Sequence, residues 1–446
     1  MTKGAAASLH VDQGADDFVR TPTFREDRDG TSFTPMRRNG ERFEAPVCAS
    51  VPCLVQYRYA LREAGRRLDD LDVASVEGEV MEAPPSTWLL APSTISGDAR
   101  VRFRVRTPGG SSFVTGAFPS AEAKDAWDTS LDDLASSPYS AFGPLRVSTL
   151  EVEGASLTLA LGPGKLDVSD EAIARWVDAS ARAIVAYFGR FPTKSALVLI
   201  VTARGRWVGG GRTLAGGGGS IFMRVGARAT PESFREDWVL VHEMTHLAFP
   251  SVSREHNWAE EGLATYVEPF ARLRAGLLSE EDAWKGLIEG LPNGLPRDGD
   301  QGLDRTHTWG RTYWGGALFF FLADIEIRKA TNNAKGLDDA LIGVLDAGGN
   351  NAVRWSLEDA FAAGDRAVGV KALEELHAKM GTSPYPVDLT ALSRSLGVEI
   401  SGGRVRFDDS APLAAIRRAI GRGTRGASPK RPPAKAGGFQ KRLKPV

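Results

Sequence analysis

Cysteine is almost absent. Cys48 and Cys53 are the only two in 446 residues, too few for a disulfide framework. Their spacing permits one small loop bridge in an oxidising compartment and equally permits two free buried thiols. Net charge is also nearly absent: 55 Lys and Arg against 56 Asp and Glu leave −1, so no whole-molecule field points to nucleic acid or to a membrane surface. No long apolar run exists. The longest, Gly315 to Ile325, falls well short of the roughly 20 residues that span a bilayer. Met1 to His10 has no apolar core of the kind a secretion leader needs, so the chain reads as cytoplasmic, with export left open. The glycine-rich run from Gly209 to Gly219 lacks the Gly-x-x-x-x-Gly-Lys-Ser/Thr order of a phosphate loop, which argues against nucleotide binding.

Histidine is scarce too, and that scarcity makes one stretch informative. Two of the six histidines stand in Val239-Leu-Val-His242-Glu243-Met-Thr-His246-Leu. At this composition roughly 0.005 His-Glu-x-x-His patterns are expected by chance. On a helix, residues four apart leave one face a turn apart, so both imidazoles can grip one metal ion. Glu243 lies beside them. Two imidazoles and a carboxylate form a three-ligand zinc site whose fourth position is left to water, and the metal lowers that water's pKa to roughly 7. Glu243 would take its proton and pass it to a leaving amine. The uncharged neighbours Val239, Leu240, Val241, Met244, Thr245 and Leu247 suit a helix buried around such a site. The third ligand should come from a following helix. Trp258-Ala-Glu260-Glu261-Gly-Leu-Ala offers two carboxylates about 100° apart, of which one can face the metal.

The remaining texture implies an α+β chain. Residues 1–45 are polar and without sustained period, and are expected to be a disordered extension. From 46 to 165 short alternating runs such as Arg100-Val-Arg-Phe-Arg-Val predict an antiparallel β domain with one wet face. A catalytic domain follows over 166–420. It begins with a helix capped by Ser169 and stopped at Gly189, then a buried strand at 196–202 and a second strand at 220–225 after the glycine loop. That second strand is expected to be the sheet edge to which an extended peptide adds, with Gly217, Gly218 and Gly219 letting its backbone approach. Thr230-Pro231 should open the zinc helix, and Thr308 to Thr331 reads as one long apolar helix. The last third is helical, with a small hairpin near Ser401. The segment 421–446 is a basic tail without acids, expected to be disordered. His10, His256 and His377 fall in predicted extension, loop and exposed helix, and receive no role. His307 is a candidate second oxyanion donor.

The paired histidines followed by Trp-x-x-Glu-Gly-x-Ala resemble the gluzincin metallopeptidases. That resemblance assigns the third zinc ligand to Glu261 rather than Glu260. Further on, Tyr313 followed by Gly316, an apolar helix ending Asp324-Ile-Glu-Ile-Arg-Lys-Ala-Thr331 and a Leu-Asp-Asp-Ala segment are similar to the glycyl-aminopeptidase family within that group. It implies an N-terminal β domain joined to a thermolysin-like zincin domain with a mostly helical C-terminal part. It also implies that Tyr313 donates a hydrogen bond to the oxyanion of the tetrahedral intermediate. Two departures stand out. Gly315 occupies a position that is often Lys, and Gly216 to Phe222 contains no acid to hold a free amino terminus. The function expected is a zinc-dependent metallopeptidase acting on a peptide or protein, exo or endo unspecified. The alternative is a catalytically inactive zincin-fold binding or scaffold protein.

Overall fold

The computed structural model describes residues 7–12, 14–28, 30, 32–93 and 99–424. Its organising element is a five-stranded sheet with both faces covered. We number its strands and the helices around it β1 (Arg146–Val152), β2 (Ala155–Leu161), α1 (Asp170–Phe188), β3 (Ser195–Ala203), β4 (Val208–Ala215), β5 (Gly219–Gly226), α2 (Val239–His246), α3 (Asn257–Arg274), α4 (Gly316–Ala330) and α5 (Ala372–Met380). The strand order is β1-β2-β3-β5-β4. β2, β3 and β5 run parallel, while the β1/β2 hairpin and the outer strand β4 are antiparallel to their neighbours.

Alternation explains why β3 reads as an unbroken apolar run. Val198 and Ile200 face α1 to α3, while Leu197, Leu199 and Val201 face the N-terminal domain through Val80, Val114, Tyr139 and Ala141. A strand buried on both faces has no polar side to show. α1 matches its expected ends: the Ser169 side chain accepts the Ala172 N–H, and Gly189 stops the helix at φ 73°.

Residues 7–145 form small antiparallel sheets, as the alternation implied. Val101 and Phe103 turn inward while Arg100 and Arg102 pair outward with Glu122 and Asp128. Three boundaries differ from the sequence expectations. Residues 7–45 are not a disordered extension: Ser8–His10 pairs with Arg42–Glu44 and with Ala91–Pro92, and Val19–Glu26 pairs with Cys53–Tyr59. These strands are short, and their core is assembled from single residues such as Leu9, Val19 and Phe43 whose partners are distant in sequence, so no local period betrays them. The hairpin 146–161 belongs to the five-stranded sheet, because β2 lies against β3 in parallel register; the boundary expected near 166 therefore falls near 146. At the other end, Ala414–Arg422 is helical, and Thr424 still donates its N–H to Asp338, so order continues past 421. Residues 1–6 and 425–446 lie outside the described part.

Cys48 and Cys53 are joined by a disulfide. Among the described residues no helix is long and apolar enough to cross a membrane.

Candidate active site and metal centre

α2 is held from below before it presents its histidines. Asp237, buried behind it, accepts the N–H groups of Val239 and Leu240 and the indole N–H of Trp176. The expected single helix from Thr230 is interrupted here: Pro231–Glu236 forms its own capped turn, and Asp237 restarts the chain as α2. His242 and His246 then project from one face, with ring centroids 5.0 Å apart and planes nearly perpendicular.

α3 brings the third donor. Glu261 Oε2 stands 3.2 Å from His242 Nε2 and 3.6 Å from His246 Nε2. Two ligand atoms bound at about 2.0–2.1 Å in a tetrahedral arrangement are separated by about 3.4 Å. The donor set and its spacing therefore fit zinc. Glu260 points elsewhere, accepting the Val252 N–H at 3.0 Å, so helical geometry makes the choice that Glu261 faces the histidines. Burial opposes charge on His246, yet the adjacent Glu261 carboxylate outweighs it and lifts the imidazole to about 9. Burial likewise opposes ionisation of Glu261, and the two imidazoles nonetheless hold it well below the usual carboxylate range.

The glycine after Glu261 has a packing cause. A Cβ on Gly262 would lie 2.3 Å from the Cα and carbonyl carbon of Gly316, and one on Gly316 would lie 2.2 Å from the Trp258 carbonyl oxygen. α3 and α4 thus cross backbone to backbone, which carries the segment before α4 over the face of the paired histidines. That segment runs into α4 as one helix, as expected from Thr308, but its first turn is not α-helical. Gly310–Gly315 is a π-helical turn, a departure that recurs at functional sites. Tyr313 sits in it, its ring roughly parallel to His242 at 6.2 Å and to Trp309 at 6.1 Å. Burial first, then the negative charges of Glu261 and Glu243, push its phenol up to about 12, so it remains a proton donor at neutral pH.

Glu243 meets β4, not β5. Thr213 Oγ1 shares its proton between the Glu243 carboxylate at 2.7 Å and the Glu243 carbonyl at 3.0 Å. Gly211 has no side chain to spare: a Cβ there would stand 2.5 Å from Glu243 Cγ. Sequence reasoning missed both residues because it treated Gly209 to Gly219 as a loop. Most of that run is the edge strand itself, and Gly209-Gly210-Gly211 is where it bulges past α2. The edge strand therefore lies one strand further out than expected, and Ser220–Val225 is paired on both sides.

Gly217, Gly218 and Gly219 do not line the cleft. Gly217 accepts from Phe118 and donates to Ala352, and the Gly219 N–H is bonded to Gly116. A Cβ on Gly218 would lie 2.1 Å from the Gly116 carbonyl oxygen. The small size of Gly218 lets the N-terminal domain backbone cross the sheet, and the Gly217 N–H and carbonyl and the Gly219 N–H are already bonded. His307 is exposed ahead of the π turn.

The Asp-Ile-Glu-Ile-Arg and Leu-Asp-Asp-Ala segments are structural. Arg328 bonds Asp324 at 2.8 Å and reaches Asp338 at 3.4 Å, Arg274 bonds Asp338 at 3.0 Å, and Tyr266 donates to Asp324 at 2.8 Å. This buried network fixes α3 against α4 below the site.

Sheet, paired-histidine helix, glutamate helix and tyrosine turn together define a gluzincin aminopeptidase-like fold. The architecture resembles that of an aminopeptidase N family protein from Idiomarina loihiensis, with 13% identity and a TM-score of 0.66 over 90% of this chain and 75% of that one. It also resembles the M1 zinc metallopeptidase from Deinococcus radiodurans, with 15% identity and a TM-score of 0.51 over 85% and 88%. A variant of that enzyme bound to a Tyr-Ser-Ala substrate matches with 14% identity and a TM-score of 0.52 over 85% and 87%. At the level of sequence, no family model and no curated protein matches the chain.

Proposed function

We propose that this chain is a zinc-dependent peptidase, with His242, His246 and Glu261 as metal ligands, Glu243 as general base and then acid, and Tyr313 as oxyanion donor. The observation that carries this is one Glu261 carboxylate oxygen standing 3.2 and 3.6 Å from the two histidine Nε2 atoms, with Glu243 next in sequence and Tyr313 stacked alongside. Zinc bound there would supply Lewis acidity and make water acidic enough to ionise near neutral pH. Glu243, oriented by Thr213, would accept the proton of the attacking water and deliver it to the departing amine. Tyr313 would donate to the oxygen on which charge develops. The outer strand β4 offers unpaired backbone groups for an extended peptide to extend the sheet. Trp238 and Trp309, half or more exposed beside His242 and Tyr313, offer ring faces to its side chains.

The charge of that edge distinguishes peptide ends. Arg212 is the only charged residue of β4, and it is bonded to Asp72 of the N-terminal domain at 2.9 Å. With Arg212 neutralised by Asp72 and no acid on β4, that strand has nothing to hold a free amino terminus, which favours internal bonds or blocked ends. The test is a peptide-library digest read by mass spectrometry, with and without chelator, on the wild type and Glu243→Gln. Cleavage that vanishes with chelator and in the variant, while the variant keeps its zinc, is expected. Zinc retained with no cleavage by the wild type favours the scaffold alternative.

A further inference from the structure

Outside the paired-histidine site, the described residues contain a second group whose donor atoms converge: His256, Asp304 and His377. They come from three separate places, the start of α3, the loop leading to the π turn, and α5. His377 Nε2 and His256 Nε2 lie 3.2 and 3.6 Å from the same oxygen, Asp304 Oδ1, and His377 Nε2 is also 3.0 Å from Asp304 Oδ2. This is nearly the spacing of the first site, and it brackets the roughly 3.4 Å that a tetrahedral metal imposes on its ligands.

We propose that His256, Asp304 and His377 form a second divalent-metal site, with the nitrogen and oxygen chemistry of zinc, that clamps the start of the glutamate helix to the chain leading to Tyr313. Four observations support a built site. The other ring nitrogen of His256 is engaged: Nδ1 lies 3.1 Å from Ser253 Oγ, the outer-shell partner that orients a ligand imidazole and leaves Nε2 free. Asp304 is fixed twice, its N–H bonded to the Gly381 carbonyl at 2.9 Å and its Oδ1 accepting the Trp258 indole N–H at 2.9 Å. His377 is walled by aromatic rings, with Phe361 at 5.7 Å and Trp258 at 6.0 Å. Finally, residue 381 is Gly where a Cβ would stand 2.6 Å from Asp304 Oδ2 and 2.8 Å from His377 Nε2, so any larger residue would occupy the space these donors share. Three protein donors, all largely but not wholly buried, leave the fourth position to water.

The site's consequence is positional. Trp258, whose indole is bonded to Asp304, is on the same helix as Glu261, and Asp304 precedes Tyr313 on the same strand of chain. A metal joining His256 to Asp304 and His377 would set the distance between ligand helix and tyrosine turn without touching substrate.

The test uses the full chain, stripped with chelator, dialysed against excess Zn2+ and then against buffer, with zinc counted by elemental mass spectrometry. Wild type is expected to hold two equivalents, H242Q/H246Q one, H377Q one, and the combined variant none. H256Q or D304N should behave as H377Q does. Wild type at one equivalent, with H377Q unchanged at one, overturns the proposal and makes the cluster a metal-free His-Asp-His clip. H242Q/H246Q is decisive even where H377Q fails to fold: a chain lacking the first site that binds no zinc overturns the proposal, and one equivalent whose addition raises its Tm supports it.

Discussion

Gly262→Ala tests how the site is assembled. The added Cβ would sit 2.3 Å from two backbone atoms of Gly316, against about 3.5 Å for carbon atoms in ordinary contact. No flexible side chain is available to yield, so α3 and α4 must part by about 1.2 Å. Overpacking of this kind costs roughly 1–3 kcal/mol, and backbone-to-backbone contact puts it at the upper end. With unfolding entropy near 2.1 cal/mol/K per residue, about 3 kcal/mol lowers the Tm of a chain this long by only about 3 °C. The catalytic loss should be larger in proportion, because a shift of about 1 Å between Glu261 and Tyr313 costs on the order of 100-fold in kcat/KM. Gly286 is the control: it is helical, exposed, and a Cβ there meets nothing within 4 Å. Gly286→Ala should be neutral or stabilising by up to about 1 kcal/mol with kcat/KM unchanged. Thermal melts and steady-state kinetics on both variants decide; a Gly262→Ala enzyme with wild-type Tm and kcat/KM would refute the close-crossing argument.

Tyr313→Phe removes the proposed oxyanion donor and should lower kcat roughly 100- to 1000-fold with KM little changed; an unchanged kcat would make the tyrosine a packing residue. Thr213→Val removes the hydroxyl that orients the Glu243 carboxylate. A hydrogen bond to a charged group is worth about 1.5–3 kcal/mol, so kcat should fall at least about tenfold while zinc content stays at the wild-type value; a loss confined to KM would contradict the assignment. Zinc uptake should be linked to protons. His246, raised to about 9 in the metal-free protein, carries a proton at pH 7 that zinc must displace. Its ion pair with Glu261 stabilises the metal-free fold below pH 6.5 and fades as pH rises through about 9. Apparent zinc affinity at this site should therefore rise towards pH 9, with about one proton released per ion at pH 7. Calorimetry of a His377→Gln chain in buffers of different ionisation enthalpy measures this, and zero release would contradict it.

The parts of this chain that were legible in sequence are those whose cause is local. His242, Glu243 and His246 share one helical turn, and α1 announces itself by Ser169, its apolar period and Gly189. The order β domain, five-stranded sheet, helices follows from where alternation gives way to a period of three to four. What escaped has causes distant in the chain. β4 reads as a glycine loop because it bulges at Gly209-Gly210-Gly211, where Gly211 answers to the nearby Glu243 and not to strand propensity. Gly217 to Gly219 invited a substrate role, but a side chain on Gly218 would meet the Gly116 backbone a hundred residues earlier, one on Gly217 would meet Thr129, and one on Gly219 would meet Leu247. Residues 7–45 look structureless because Ser8–His10 and Val19–Glu26 each take a partner strand from outside the segment, Ala91–Pro92 and Cys53–Tyr59. His256 and His377 looked idle because Asp304, which gathers them, is separated from His377 by 73 residues. The choice of Glu261 over Glu260 needed a family resemblance in sequence, and in three dimensions it needs only the 3.0 Å bond that ties Glu260 to Val252.

Anomalous diffraction from zinc-loaded crystals, collected at the zinc absorption edge, tests the central claim most directly. A peak about 2.0–2.2 Å from His242 Nε2, His246 Nε2 and a Glu261 carboxylate oxygen is predicted. A zinc-loaded chain with no peak there, or with Glu260 in place of Glu261 beside the metal, contradicts the account.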